Sequence, residues 1–122
     1  MAKVLVVDDS ALSRRILRNI LQQGGYDVTE AEDGMTAIEK YYLEKPDVVF
    51  LDMIMRGMPG LEVLESLRRI DENARVIVAT ADIQDSTRAL AREQGARSFV
   101  TKPFSGDQIL AALKTALEDQ PR

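Results

Sequence analysis

Three aspartates, a threonine and a lysine stand out because each lies at or just past the end of a short apolar run. Asp8 and Asp9 follow Val4, Leu5, Val6 and Val7, and Asp52 follows Val48, Val49, Phe50 and Leu51. Thr80 comes directly after residues 76–79, and Lys102 stands two residues past Val100. The chain has neither cysteine nor histidine. That excludes disulfides, thiolate nucleophiles and zinc–thiolate sites, so any base or ligand must be a carboxylate, lysine, hydroxyl or carbonyl. Oxygen donors select hard cations, and magnesium is the natural candidate.

The elements that must carry these residues can be read from hydrophobic period. A chain of 122 residues, 45% apolar and 30% charged, is sized for one hydrophobic core. The expectation is one domain over 1–122, with residues 119–122 a tail or the start of a linker. Short β-branched runs alternate with segments of helical period, the pattern of repeated βα units and a parallel sheet. Strands are expected at residues 4–7, 27–31, 48–51 and 76–79 and around Phe99 and Val100. The first helix carries Leu12, Ile16, Leu17, Ile20 and Leu21 and stops at Gly24-Gly25; the second starts near Gly34 with Ala37, Ile38 and Tyr41 and ends before Pro46. A third carries Leu61, Leu64 and Leu67. The fourth, roughly 84–94, has only Ala89, Leu90 and Ala91 for an apolar face and should be the least firmly docked. The last presents Ile109, Leu113 and Ala116 and ends near Glu118. A net charge of −4 argues against nucleic-acid binding, and Arg14, Arg15 and Arg18 read as a solvated helix face. With no signal-peptide layout and no long apolar stretch, a cytoplasmic protein away from membranes is expected.

Right-handed crossovers bring every strand's carboxyl end to one edge of such a sheet, where ligands bind. Asp8, Asp9, Asp52, Thr80 and Lys102 therefore converge there. Val7-Asp8-Asp9-Ser10, Leu51-Asp52, Thr80-Ala81 and Lys102-Pro103-Phe104 together resemble the signature of response-regulator receiver domains of two-component systems, over essentially the whole chain. The resemblance implies an α/β fold: a doubly wound, flavodoxin-like five-stranded parallel sheet in the order 2-1-3-4-5 with five helices. It implies that Asp52 accepts a phosphoryl group from a sensor histidine kinase or histidine phosphotransfer protein. The domain would catalyse its own phosphorylation and dephosphorylation without being a turnover enzyme. It implies Mg²⁺, or Mn²⁺, held directly by Asp9, partly through water by Asp8, and by Asp52 and the backbone carbonyl of Ile54. Thr80 would move onto the phosphoryl group and Phe99 turn inward, repacking the surface of the fourth helix, fifth strand and fifth helix for a downstream target or a second copy. A cis peptide before Pro103 would direct Lys102.

The chemistry accounts for the residue types. Three carboxylates in one pocket raise one another's pKa unless a cation intervenes, and their −3 is balanced by the +3 of Mg²⁺ and Lys102. Asp52 is then ionised and needs no separate base to attack phosphorus in line, with catalysis resting on positioning and electrostatics.

Plainer roles compete at several positions. Asp8, Asp9 or Ser10 could be only a helix N-cap, Lys102 a solvated lysine, Thr80 an ordinary strand residue and Phe99 plain core. Met53, Met55 and Met58 are read as adaptable packing rather than a soft-metal site. The chain also departs from receiver habit: Arg56 stands where Pro is common, and Pro59 where Asp or Asn is common. Pro59 suits the first turn of a helix but cannot cap it by side chain. Arg56 is expected to be solvated, the alternative being an approach to the phosphoryl group or a partner. Ile54 and Asp82 match positions that flank the hydrolytic water and tune phosphate lifetime; an apolar Ile54 cannot orient water, so slow self-dephosphorylation is expected. Alternatives to a stand-alone regulator are the receiver of a longer effector, an interaction module that works without phosphorylation and an aspartyl-phosphate hydrolase. The last normally has a second Asp where this chain has Ile54.

Overall fold

The computed structural model describes residues 1–81 and 84–118. Five parallel strands, β1 (Lys3–Val7), β2 (Asp27–Ala31), β3 (Val48–Leu51), β4 (Val76–Thr80) and β5 (Ser98–Thr101), lie in the order β2-β1-β3-β4-β5. Helices α1 (Ala11–Gln23), α2 (Gly34–Glu44), α3 (Gly60–Ile70), α4 (Asp85–Glu93) and α5 (Gly106–Glu118) alternate with them. This is the order implied by the resemblance. Asp82 and the proposed tail, residues 119–122, lie outside the described residues.

The central strands are apolar at every position because alternate side chains enter two separate cores. Leu5, Val7, Val49, Leu51, Val76 and Val78 point to one face, where they meet Ala37 and Tyr41 of α2 and Val63, Leu64 and Leu67 of α3. Val4, Val6, Val48, Phe50, Ile77 and Ala79 point to the other, against Leu17 and Leu21 of α1 and Ile109, Leu113 and Ala116 of α5. Both layers are closed, so the functional side chains must emerge at strand ends rather than from a face. No helix among the described residues is long and apolar enough to cross a membrane.

Two apolar faces are narrower than their sequence suggests. In α1 the stripe Leu17–Leu21 is buried, but Leu12 is 65% and Ile16 38% exposed. These two lie on the neighbouring i, i+4 row, which reaches the core only at the half-buried Ile20. In α4 only Ala91 is buried, while Ala89 and Leu90 face solvent. The helix is nine residues long and held mainly at one position, in keeping with its expected weak docking.

Candidate functional site

The strand register sets the site. Val7 pairs with Leu51, and each is the last residue of its strand. Asp8 and Asp52 come next in neighbouring strands, tied down by Asp52 N–H donating to the Val7 carbonyl at 3.0 Å and Asp8 N–H to the Ala31 carbonyl at 3.2 Å. Asp8 and Asp52 are 1% and 3% exposed. Aspartates are seldom so buried without partners. One carboxylate oxygen from each of Asp8, Asp9 and Asp52 lies within 4.8 Å of the others.

Lys102 follows directly on β5 and precedes a cis Lys102–Pro103 peptide, its N–H donating to the Thr80 carbonyl at 3.0 Å. Its ammonium stands 2.9 Å from Asp8 Oδ2 and donates to Asp52 Oδ2 at 3.1 Å. Burial alone would pull the Lys102 pKa down, but the contacts with Asp8 and Asp52 outweigh it and hold the group above its ordinary value. Asp8 goes the same way for the opposite reason. Burial, joined by the Asp52 charge, raises its pKa further than the Ser10 N–H and the Lys102 ammonium lower it.

The remaining hydrogen bonds orient the carboxylates. Ser10 N–H donates to Asp8 Oδ1 at 2.9 Å and Ile54 N–H to Asp52 Oδ1 at 3.1 Å. Asp8 Oδ2 is different: it is buried, and among the described residues its partner is the Lys102 ammonium at 2.9 Å. An all-oxygen donor set of three carboxylates gathered this closely, two of them buried, suits a hard divalent cation.

The loop over the site, residues 53–59, runs from Asp52 into α3. Pro59 sits at the N-cap of α3 rather than inside its first turn, and makes no side-chain cap bond. Gly57 has φ +80, a conformation that favours glycine. At Gly60 a Cβ would lie 2.4 Å from the Asp52 carbonyl oxygen and 2.5 Å from Met53 Cα, so only glycine permits this approach of α3 to β3. Met53 is core, and Met55 and Met58 pack against it, which bears out the packing role for the methionines.

Other residues singled out in the sequence lie around this cluster. Thr80 is buried at the end of β4, on the same rim. Ile54 is 59% exposed beside Asp52. Phe99 pairs in register with Val78, below the rim, half-buried with the guanidinium groups of Arg88 and Arg92 at 5.6 and 5.3 Å from its ring centre. Asp82 is outside the described residues. The Arg56 side chain is 92% exposed, as expected, yet its backbone N–H donates to Asp9 Oδ2 at 3.1 Å.

Arg14 corrects the reading of a solvated arginine face. Its side chain is only 15% exposed; Nη1 donates to the Asp8 carbonyl at 2.7 Å and Nε to Glu30 Oε1 at 3.2 Å. Arg18, one turn on, pairs with Glu30 Oε2 at 2.7 Å, and Lys40 donates to the Glu30 carbonyl. Arg15 and Arg18 are both exposed, Arg18 while paired with Glu30, so the correction falls on Arg14. The available signal was the i, i+4 spacing of Arg14 and Arg18 together with an acidic residue, Glu30, near the end of the edge strand.

Comparison with known proteins agrees with this geometry. Residues 4–114 match the model of the response regulator receiver domain. The chain is 39% identical over 116 residues to the chemotaxis protein CheY of Bacillus subtilis, covering 94% of this chain and 97% of that one. It is 38% identical over 115 residues to the sporulation initiation phosphotransferase F of the same organism, covering 94% and 93%. Among solved structures, the Vibrio cholerae chemotaxis protein CheY4 superposes with a TM-score of 0.92 at 31% identity, over 96% of this chain and 99% of that one. With an acidic strand-end pocket, a lysine bridging it and this match over nearly its full length, the chain belongs to the response regulator receiver family, the phosphorylated signalling domains of two-component systems rather than turnover enzymes.

Proposed function

We propose that Asp52 accepts a phosphoryl group from the phosphohistidine of a sensor kinase or histidine phosphotransfer protein, and that the modified domain then binds a downstream target. The observation that carries this reading is the pair of buried carboxylates, Asp8 and Asp52, bridged by one ammonium with Asp9 alongside. An Asp52 oxygen attacks phosphorus; the new O–P bond forms as the N–P bond of the donor breaks, and the electron pair stays on the imidazole nitrogen. The Ile54 N–H on Asp52 Oδ1 and Lys102 on Oδ2 fix the carboxylate's direction, so that little reorganisation is needed. Asp8, Asp9, Asp52 and the Ile54 carbonyl would hold Mg²⁺ or Mn²⁺, which when bound offsets the acidic charge and that of the phosphoryl oxygens. Lys102 meets the charge developing on the transferred group.

Thr80, buried at the same rim, is the switch hydroxyl, and Phe99 is the aromatic that follows it. The support is mechanical: α4 is anchored mainly by Ala91, and Phe99 is half-buried, so this part of the molecule can repack at small cost. The surface that changes is α4, β5 and α5. Ile54, apolar and exposed beside Asp52, and Asp82 set phosphate lifetime; with no polar group at Ile54 to orient water, hydrolysis is slow.

Incubation with Mg²⁺ and acetyl phosphate, followed by intact-mass analysis, tests the acceptor. Wild type should gain one acid-stable, alkali-labile phosphoryl group, and Asp52→Asn none. No modification of wild type, or equal modification of the variant, would overturn the assignment.

A further inference from the structure

The acidic cluster already has two resident cations, and they serve different carboxylates. Lys102 serves Asp8 and Asp52. Asp9, whose side chain is 25% exposed, is served by Arg56: the backbone N–H lies 3.1 Å from Asp9 Oδ2 and the guanidinium Nε 3.6 Å from the same oxygen. Arg56 also lines a cleft of about 250 Å³ with Asp9, Glu32 and Asp33. Three of those four residues are acidic, so the local field favours a positive group at the mouth of the pocket.

We infer that Arg56 is a built-in competitor for the divalent cation: it occupies Asp9 Oδ2 until the ion enters, and opposes the ion's binding to Asp9. This rests on the proposed cation site. Two effects oppose an incoming ion. If it takes Asp9 Oδ2, it competes with both Arg56 donors for one oxygen; if it takes Oδ1, it lies beside a guanidinium of like charge. Either way Arg56 weakens cation binding, and an ion on Oδ2 releases the arginine at the pocket mouth. Because Arg56 lies between Ile54 and Gly57, that release also frees the loop over Asp52.

Calorimetric titration of Mg²⁺ into wild type, Arg56→Ala, Arg56→Lys and Asp9→Asn tests the inference without any phosphodonor. An exposed ion pair changes affinity by roughly two- to five-fold. Arg56→Ala should therefore bind Mg²⁺ about three-fold more tightly at low salt, Arg56→Lys should stay near wild type, and the difference should shrink as salt is raised. The Arg56 Nε–H signal in an NMR titration should shift as Mg²⁺ saturates wild type. If wild type binds Mg²⁺ but Arg56→Ala binds equally or more weakly, the competitor role is refuted and the cation site stands. If wild type fails to bind, or Asp9→Asn binds as wild type does, the cation site falls and this inference with it.

Discussion

Replacing Lys102 with methionine keeps the length of the side chain and removes its charge, leaving Asp8 and Asp52 facing each other. Both are almost fully buried, with the ammonium 2.9 and 3.1 Å away in the native fold. Breaking a buried pair by deleting one partner costs about 3 kcal/mol. Against a total stability of roughly 5–15 kcal/mol that is a large loss, and it should lower the melting temperature by about 10 °C.

The pH dependence separates charge from packing. Lys102 is raised in the folded state, so the stability it adds is fully present below its unfolded pKa and is lost only as alkaline pH passes its folded pKa. Asp8 is a carboxylate whose folded pKa is raised by burial, so the folded state holds its proton more firmly, and stability falls as pH rises through that pKa. Removing Lys102 raises Asp8 further. The gap between wild type and Lys102→Met should thus be widest at neutral pH and close as acid protonates Asp8. Millimolar Mg²⁺ at neutral pH should also narrow it, since an ion bound to the cluster replaces the missing charge. Urea melts followed by far-UV circular dichroism, with and without chelator, measure each quantity. Equal stability of the two proteins in chelator at neutral pH would refute the electrostatic account. So would a gap that ignores acidification, since lost packing has no reason to titrate.

Three further outcomes are expected. Arg14→Ala should destabilise the fold by about 2 kcal/mol and weaken Mg²⁺ binding by about ten-fold, with Arg14→Lys recovering stability better than affinity, because one ammonium cannot hold the Asp8 carbonyl and Glu30 in the same fixed fork; calorimetry against urea melts reads the split. Gly60→Ala forces a methyl against the Asp52 carbonyl and Met53 Cα, and should cost about 2 kcal/mol while slowing modification by acetyl phosphate, checked by melts and by the mass assay. Ile54→Asn should leave stability unchanged at this exposed position and shorten the life of the Asp52 phosphate, followed by loss of the phosphoryl mass over time; a longer life would contradict the water-orientation argument.

Strand positions were legible because one property, apolar character on both faces, sets β1, β3 and β4, and a buried strand has no other way to look in sequence. Once those ends were placed, Asp8, Asp52 and Thr80 had to share a rim, since parallel crossovers leave each strand end on the same side. The strand order was less accessible: hydrophobic period says nothing of which strand neighbours which, and only the family resemblance supplied 2-1-3-4-5. The exposure of Leu12, Ile16 and Leu90 was not legible for a related reason. An apolar row shows that a helix has a greasy side, whereas the angle at which the helix lies on the sheet decides how much of that side is covered.

The two arginines show where reasoning from residue type stops. Arg14 and Arg15 are adjacent and chemically identical, yet one is clamped between the Asp8 carbonyl and Glu30 and the other is solvated. What separates them is the turn of α1: Arg14 lies four residues after the Ser10 cap, on the side facing β2, where Glu30 is registered against Val6 and so stands near the strand end that carries Asp8. Arg56 reverses the lesson. Its side chain is as solvated as its type suggests, but its backbone N–H has become a ligand of Asp9, a role that no side-chain inventory reveals because any residue except proline can fill it. The site is thus built from legible carboxylates held by less legible groups, a carbonyl clamp beneath Asp8 and an amide on Asp9. Those holding groups, more than the aspartates themselves, are where this receiver can differ from its relatives in how tightly the proposed cation is held.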